Sequence, residues 1–592
     1  MRLPVIKREQ RYKRHMITFG GLNLRQSFSV GEMKDCSGIS HLCFPAITQK
    51  QKSEQVFSCT TPTAMLYADK ECIASDDGLY YDRKKVGDLS KGKKQLVCVG
   101  SKIIVFPDKV YYDTKTKKFA SLESVFESKG VSVSFNLNKL SVPQNNFIQE
   151  HSVEVCTFPA GAEVVTYNVV EVKNNKLSFT GFNLKSIELL EEETILREKC
   201  LENQYRRVIA ISQSEDKKLY TVTCELVSLN DTLKDAFLEF KEGDVLEITG
   251  CTTATDNNKF VTLLSKTGSS LTFEGEPFTQ SVENESVVIK RKIPDFSCIC
   301  SYENRLWGCE GNILYASALG DPTNFFVYNN LSTDSFTVES NTAGDFTACT
   351  VYGSYCLFFK ENSCYKLYGN RPANFKLTES FGGGILKEDS LSIANVGGKI
   401  IYKGNGGIYA FYGGLPQCIS NNLEGLTMKN AVSGSDTKRY YITADVNGVR
   451  EEYVWDIEKG LWSKSGESDA LGYSFYGNYL YRLTKNGIEK ILEEADTDVW
   501  WSVTFCPFDE DYYKTKNYSR LYIQAQLFEN SYICAEVKHD KGLWEKIYSG
   551  YGNEKKYINI PFNAHGCHEL QLRLSGKGKS IIKSVTREFS VN

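Results

Sequence analysis

From Glu303 onward one short pattern keeps returning: a Gly, a gap of two or three residues, an apolar run, a polar turn and a second apolar run. Gly353 to Phe359 leads over Lys360, Glu361 and Asn362 to Cys364–Tyr368. Gly398 to Tyr402 leads over Lys403 and the Gly404 to Gly407 turn to Ile408–Tyr412. Arg439–Thr443 leads over Asp445 to Gly448 to Glu452–Asp456, and Gly477–Tyr481 closes the set. The starts at 303, 353, 398, 439 and 477 lie roughly 40 to 50 residues apart, the spacing of propeller blades. Each unit reads as two strands joined by a tight turn. A single hairpin cannot bury its own apolar face, so the repeat predicts units stacked around an axis.

The same pattern stands near the N-terminus. Cys72, Ile73 and Ala74 lead over Asp77-Gly78 to Leu79–Tyr81, and Gly100 to Phe106 leads over Pro107, Asp108 and Lys109 to Val110–Tyr112. A mainly all-β chain follows, with a β-propeller of six to eight blades. Its organisation reads as an N-terminal arm and lead-in over 1–60, first blades over 61–115, inserted α+β or β-barrel material over 116–296, the remaining blades over 297–500 and a C-terminal β-sandwich over 501–592. Within the insertion, Ser186 to Arg207 carries an incomplete helical stripe of Leu189, Leu190, Ile195, Leu196 and Tyr205, which predicts a helix. Residues 240–290 read as a small barrel-like module of five or so strands. Strict alternation over Glu569–Leu574 supports the sandwich.

Composition agrees with β structure: 34 Tyr, 33 Phe and 45 Gly stand against 13 Pro and 5 Met. Lys and Arg number 70 against 73 Asp and Glu, a net charge of −3, which argues against a dedicated nucleic-acid binder. The basic arm (Lys7, Arg8, Arg11, Lys13, Arg14) has no apolar run beside it, so no signal peptide is read, and no apolar run is long enough for a membrane span. The 19 Cys are scattered. Cys298 and Cys300 are the only close pair, and their one-residue gap is wrong for a zinc knuckle. Cys98, Cys356 and Cys364 sit in apolar runs, and free thiols of a reducing cytoplasm are expected.

The residues that invite a chemical reading point to none. Glu191, Glu192 and Glu193 are adjacent and do not share a helix face. The glycines of Gly404–Gly407 and Gly382–Gly384 do not open a helix, so they read as turns rather than a phosphate cradle. His565, Cys567 and His568 lack a second ligand pair, and Asp509, Glu510 and Asp511 read as a solvated loop. The remaining histidines, His15, His41, His151 and His539, form no motif. No catalytic, cofactor-binding or metal-binding residue is assigned, and no cofactor is expected.

The run Asn304-Arg305-Leu306-Trp307-Gly308, then Tyr315-Ala316-Ser317 and Gly320-Asp321-Pro322, resembles the blade signature of phage virion propeller proteins. These are the nozzle, tail-hub or stabilisation proteins of short-tailed phages and related Firmicutes prophage proteins. Phe19 to Asn23 with Gly31-Glu32-Met33, and Arg573 to Gly578, resemble the prophage branch. The resemblance implies a non-enzymatic structural protein of the virion tail, assembled in the bacterial host cytoplasm. Its partners would be copies of itself in a cyclic ring, the portal adaptor or other tail proteins, and phage DNA in transient passage. The alternative is a tail-borne propeller that binds a receptor, or binds or degrades carbohydrate.

Overall fold

The computed structural model describes residues 10–128, 133–136, 139–141, 152–156, 165–173, 176–180, 195–198, 205–213, 219–226, 237, 239–267, 270–275, 278–279, 281–283, 287–552 and 556–591. Each hairpin read from the sequence is the second and third strand of a four-stranded antiparallel sheet, and there are seven such sheets among the described residues. Sheet 1 is Pro62–Tyr67, Glu71–Ser75, Gly78–Tyr81 and Lys84–Gly87. Sheet 2 is Gln95–Val99, Lys102–Phe106, Val110–Asp113 and Lys118–Ser121. Sheet 3 is Cys298–Tyr302, Arg305–Glu310, Ile313–Ala316 and Phe336–Glu339. Sheet 4 is Ala348–Tyr352, Tyr355–Phe359, Ser363–Tyr368 and Lys376–Gly382. Sheet 5 is Ala394–Val396, Lys399–Gly404, Gly407–Phe411 and Gln417–Cys418. Sheet 6 is Met428–Ser435, Arg439–Val446, Val449–Asp456 and Leu461–Glu467.

Sheet 7 is built differently. Gly472–Tyr476, Tyr479–Thr484 and Gly487–Ala495 supply three strands, and Gln51–Ser58, from far upstream, pairs antiparallel with Gly487–Ala495 as the fourth.

Second strands are the most apolar because both of their faces are covered. Leu357, Phe358 and Phe359 are buried, as are Ile400, Ile401 and Tyr402, and Tyr440, Tyr441 and Ile442. The turns follow the local chemistry. Asn447 and Gly448 both take left-handed φ, 51° and 83°, the pattern of a two-residue turn whose twist matches its strands. First strands pack on one another from sheet to sheet: 1 on 2, 2 on 3, 3 on 4, 5 on 6, 6 on 7 and 7 on 1. Sheets 4 and 5 meet through Phe359 on Tyr402, ring centres 5.0 Å apart, and Tyr352 on Phe411 at 5.2 Å.

The chain leaves this array between sheets 2 and 3. Val125–Glu127, Val133–Asn136, Lys139–Ser141, Val245–Thr249, Phe260–Thr267, Ser270–Phe273, Ser281–Glu283 and Val288–Arg291 form one eight-stranded sheet. The barrel-like module expected over 240–290 is therefore part of a larger sheet that also draws strands from before residue 142. The closed barrel lies elsewhere, in six strands between Ser152 and Leu226. The helix expected over Ser186 to Arg207 is corrected: Ile195–Glu198 and Tyr205–Gln213 are adjacent antiparallel strands of that barrel. Its stripe was incomplete, and the β-branched and aromatic residues of Tyr205–Gln213 suit a strand. The rest of that stretch, with Glu191, Glu192 and Glu193, lies outside the described residues.

Two further antiparallel sheets hold the C-terminal strands. One joins Ile39–Ser40, Ile47–Gln49, Ser580–Val591, Lys516–Leu527 and Lys556–Cys567, with Arg11–Met16 on the Ser580–Val591 strand. The other orders Met33–Ser37, Trp500–Phe505, Leu570–Lys577, Ser531–His539 and Glu545–Gly552. Their inner faces share one core, with Leu521, Ile523, Val585 and Phe589 from the first and Val503, Ile533, Leu572 and Leu574 from the second. Residues 10–58, read as an irregular lead-in, are thus strands of three different sheets. They are short and polar, so pairing rather than sequence pattern defines them.

Candidate functional site

A small enclosed polar space lies where sheets 6 and 7 meet the strand and turn residues 40–53. It is a cavity of about 60 Å³ lined by Ser40, His41, Gln51, Arg439, Glu452 and Arg482, among others. Glu452 and Asp456 sit four positions apart, each two from Val454 in one strand, so both face the same side. Glu452 Oε2 accepts from the Tyr473 hydroxyl at 2.6 Å and from Arg482 Nη1 at 3.1 Å. Arg482 also donates to Glu489 Oε2 at 2.6 Å, and Tyr473 meets Thr443 at 2.7 Å. Burial raises the Glu452 carboxyl, but Arg482, Tyr473 and Lys50 outweigh it and hold the group below the ordinary carboxylate value.

The other half of the cavity is equally engaged. The Tyr441 hydroxyl lies 2.6 Å from Gln51 Oε1 and 2.9 Å from Asp436 Oδ2. Lys459 donates to Asp456 at 2.6 Å and Arg439 to Asp436 at 2.8 Å. His41 is buried, its Nε2 is 3.1 Å from the Gly20 carbonyl, and burial lowers its pKa. A carboxylate that already accepts from an arginine and a tyrosine is a weak proton acceptor. The arrangement is a charge-balanced clamp that ties the fourth strand of sheet 7 to sheet 6.

Similar clamps recur at other joints. Arg305, buried in sheet 3, donates to the carbonyls of Ser317, Ser332 and Asp334 in the loop between the third and fourth strands of that sheet. Arg291 donates to the Leu122 carbonyl at 2.9 Å, to Ser124 Oγ at 2.7 Å and to Asp244 at 3.3 Å, and Asn324 reaches Asp244 at 2.9 Å. This set fastens the eight-stranded sheet to sheets 2 and 3.

Five thiols line up between sheets 3 and 4. Cys298 faces Cys309 across the strand pair and also meets Cys349; Cys300 meets Cys349 and Cys356. The close pair noted in sequence is therefore joined by three partners it could not reveal, because they come from other strands. These five and eleven other cysteines are free thiols.

The sequence candidates separate. Gly404 and Gly407 end and begin the two strands of a sheet 5 hairpin, and Gly383 takes a left-handed φ of 87° in the turn after sheet 4. Cys567 is buried at a strand end, while His568 and Glu569 donate their backbone N–H to Asp540 at 2.9 and 3.1 Å. Among the described residues, no group of three His, Cys, Asp or Glu side chains is arranged to hold a metal ion. The acidic run divides. Asp509 and Asp511 remain at the surface, but Glu510 is turned inward onto Arg587, which corrects the reading of a wholly solvated loop. The distant Arg587, with no mark in the local sequence, and the Tyr518 hydroxyl, which donates to Glu510 Oε1 at 3.3 Å, account for that burial.

No family model and no curated protein matches the chain. Among solved structures it is similar to PorZ, a surface component of the type-IX secretion system of Porphyromonas gingivalis, at 8% identity over 87% of this chain and 80% of that one, with a TM-score of 0.22. It is similar to an exo-β-1,3-galactanase from Phanerochaete chrysosporium at 8% identity over 75% and 96%, TM-score 0.18. It is similar to an acylaminoacyl peptidase from Pyrococcus horikoshii at 10% identity over 58% of each chain, TM-score 0.24. Likenesses this distant carry no argument about what the chain does.

Proposed function

We propose that the chain is a non-enzymatic structural protein of a phage tail, a propeller that assembles with copies of itself around the DNA exit path. The observation that supports this reading most is the strand Gln51–Ser58. A final four-stranded sheet completed by an upstream strand is what a circular array of seven blades requires to hold its first and last members together. The clamp of Glu452, Arg482 and Tyr473 beside that strand suits a part that bears load. The blade motif at Asn304 to Gly308 and the opening at Phe19 to Asn23 supply the family resemblance. Near-equal numbers of basic and acidic residues, 70 and 73, suit a passage wall, because each phosphate neutralised by a fixed cation adds salt-dependent affinity that would hold DNA back. A cyclic assembly would repeat one heterologous contact until it closes.

The test is made in the particle. Deleting the gene and imaging the particles by electron microscopy should give tails lacking their terminal ring, or particles that have lost DNA. Complete, DNA-filled tails that fail only to attach to cells would overturn the structural reading and favour receptor binding.

A further inference from the structure

The second C-terminal sheet covers the core with one face and leaves the other open. On the open face, pairing places residues in rows across the strands. Trp500, Lys577, Tyr532 and Tyr551 form one row. Two residues along, Ser502, Ser575, Cys534 and Ser549 form the next. Two further along come Thr504, Arg573, Glu536 and Lys546. Large side chains thus flank a row of small ones, and the result is a trough running across the strands. Rows two residues apart are about 7 Å apart, and neighbouring strands about 4.8 Å apart.

One wall is aromatic and exposed. Trp500 is 63% exposed and Tyr551 82%; Tyr532 bridges them, with ring centres 6.2 Å from Trp500 and 5.2 Å from Tyr551. The opposite wall is polar and fixed. Arg573 donates to Glu536 at 2.7 Å and lies over the Trp544 ring at 4.4 Å. The end near Met33–Ser37 is closed by sheet 6, where Lys464 pairs with Asp35 at 3.0 Å and Gly466 lies against Ser37.

We propose that this trough binds an oligosaccharide laid across the strands. A pyranose presents C–H faces, which pack on aromatic rings, and a rim of hydroxyls, which need hydrogen bonds. The trough offers three rings on one side, serine hydroxyls on its floor and an oriented Arg573–Glu536 pair on the other side. Tyr and Trp serve such surfaces because each combines an apolar body with a polar edge, and ligand sites join aromatic walls to a few placed polar groups. The core of a protein–protein contact is depleted of charge, whereas here an ion pair stands beside a hydroxyl floor. A single-stranded nucleic acid would call for a basic groove along its backbone, whereas the cations here are split between the walls, Lys577 in one and Arg573 and Lys546 in the other, and Arg573 is already paired with Glu536. The proposal does not depend on the tail assignment.

The full-length chain is run by affinity electrophoresis through gels containing hydroxyethyl cellulose, xylan, glycol chitin or polygalacturonate. At least one polymer should retard the wild type. The double variant Trp500→Ala/Tyr551→Ala should weaken that retardation at least tenfold, and Ser575→Gln, which fills the floor while keeping the rings, should do the same. Tyr513→Ala, at a fully exposed aromatic outside the trough, should leave it unchanged. Unaltered melting temperatures in all three exclude misfolding as the cause. Retardation by none of the polymers, or retardation that survives both trough variants, would overturn the proposal. So would concentration-dependent self-association that the double variant abolishes, which would make the face a contact between copies of the chain.

Discussion

Arg587 grips Glu510 through two parallel hydrogen bonds, Nε to Oε1 at 2.6 Å and Nη2 to Oε2 at 3.0 Å, with both side chains out of solvent. The guanidinium also lies over the Phe508 ring at 3.8 Å. The pair ties the loop before Lys516–Leu527 to the last strand of the chain. Removing one partner of a buried ion pair leaves the other uncompensated, at about 3–5 kcal/mol. Glu510→Gln should lower stability by that order in denaturant titration. A change below about 1 kcal/mol would show that the pair is not desolvated as described.

Sheet 7 depends on Gln51–Ser58. A chain lacking residues 1–59 loses that strand and leaves the edge of Gly487–Ala495 unpaired, an open template for aggregation. It also loses the strands that residues 11–49 give to both C-terminal sheets. This truncation should be insoluble or melt without cooperativity. A soluble product with the full-length melting temperature would show that neither region needs the borrowed strands.

The clamp predicts an acid-sensitive joint. Because Glu452 is held below its ordinary value, its contribution to stability is present above about pH 4.5 and is lost as pH falls through the depressed folded value. Glu452→Gln should cost about 3 kcal/mol near neutral pH, and the gap from wild type should close under acid. His41 acts in the same direction. Its folded pKa is lowered by burial, so the unfolded chain takes up its proton first and stability declines as pH drops below 6.5. His41→Gln should flatten that part of the profile; thermal melts from pH 3 to 8 read both effects.

Thiol chemistry should follow burial. Cys43 is exposed, whereas burial pushes the Cys36 thiol up to about 12 and makes it inert. Brief labelling of the native protein followed by peptide mapping should mark Cys43 well ahead of Cys36, Cys72 and Cys364. Under denaturant nearly all 19 cysteines should react. A large shortfall in protein made without oxidant would reveal disulfides and contradict the free thiols described.

What the sequence made legible is the middle of each sheet. Leu357 to Phe359 and Ile400 to Tyr402 are covered on both faces, so they read as apolar runs between turn residues. First strands such as Gln95–Val99 and Gly472–Tyr476 are only half covered and carry mixed residues, and fourth strands such as Lys84–Gly87 are short and polar. The trough was legible only as scattered aromatics, because Trp500, Tyr532 and Tyr551 become neighbours through strand register. Glu452 and Arg482 stand 30 positions apart, and nothing in either segment marks the other as its partner.

The pairing of Arg11–Met16 with Ser580–Val591 joins the two ends of the chain in one sheet. During synthesis at roughly 5–20 residues per second, the early strands wait for partners that the ribosome has not yet made, for about half a minute to two minutes. Sheets 1 to 6 can pair locally as they emerge, but Gln51–Ser58 and Arg11–Met16 remain without their final neighbours until the closing segments appear. A premature stop between residues 500 and 580 would therefore leave Arg11–Met16 and Ile47–Gln49 without the strand they pair with, although Gln51–Ser58 already has Gly487–Ala495, and such products would be flagged at these strands for chaperones and proteases. Ser580–Val591 is thus the strand that ends the wait of Arg11–Met16 and Ile47–Gln49.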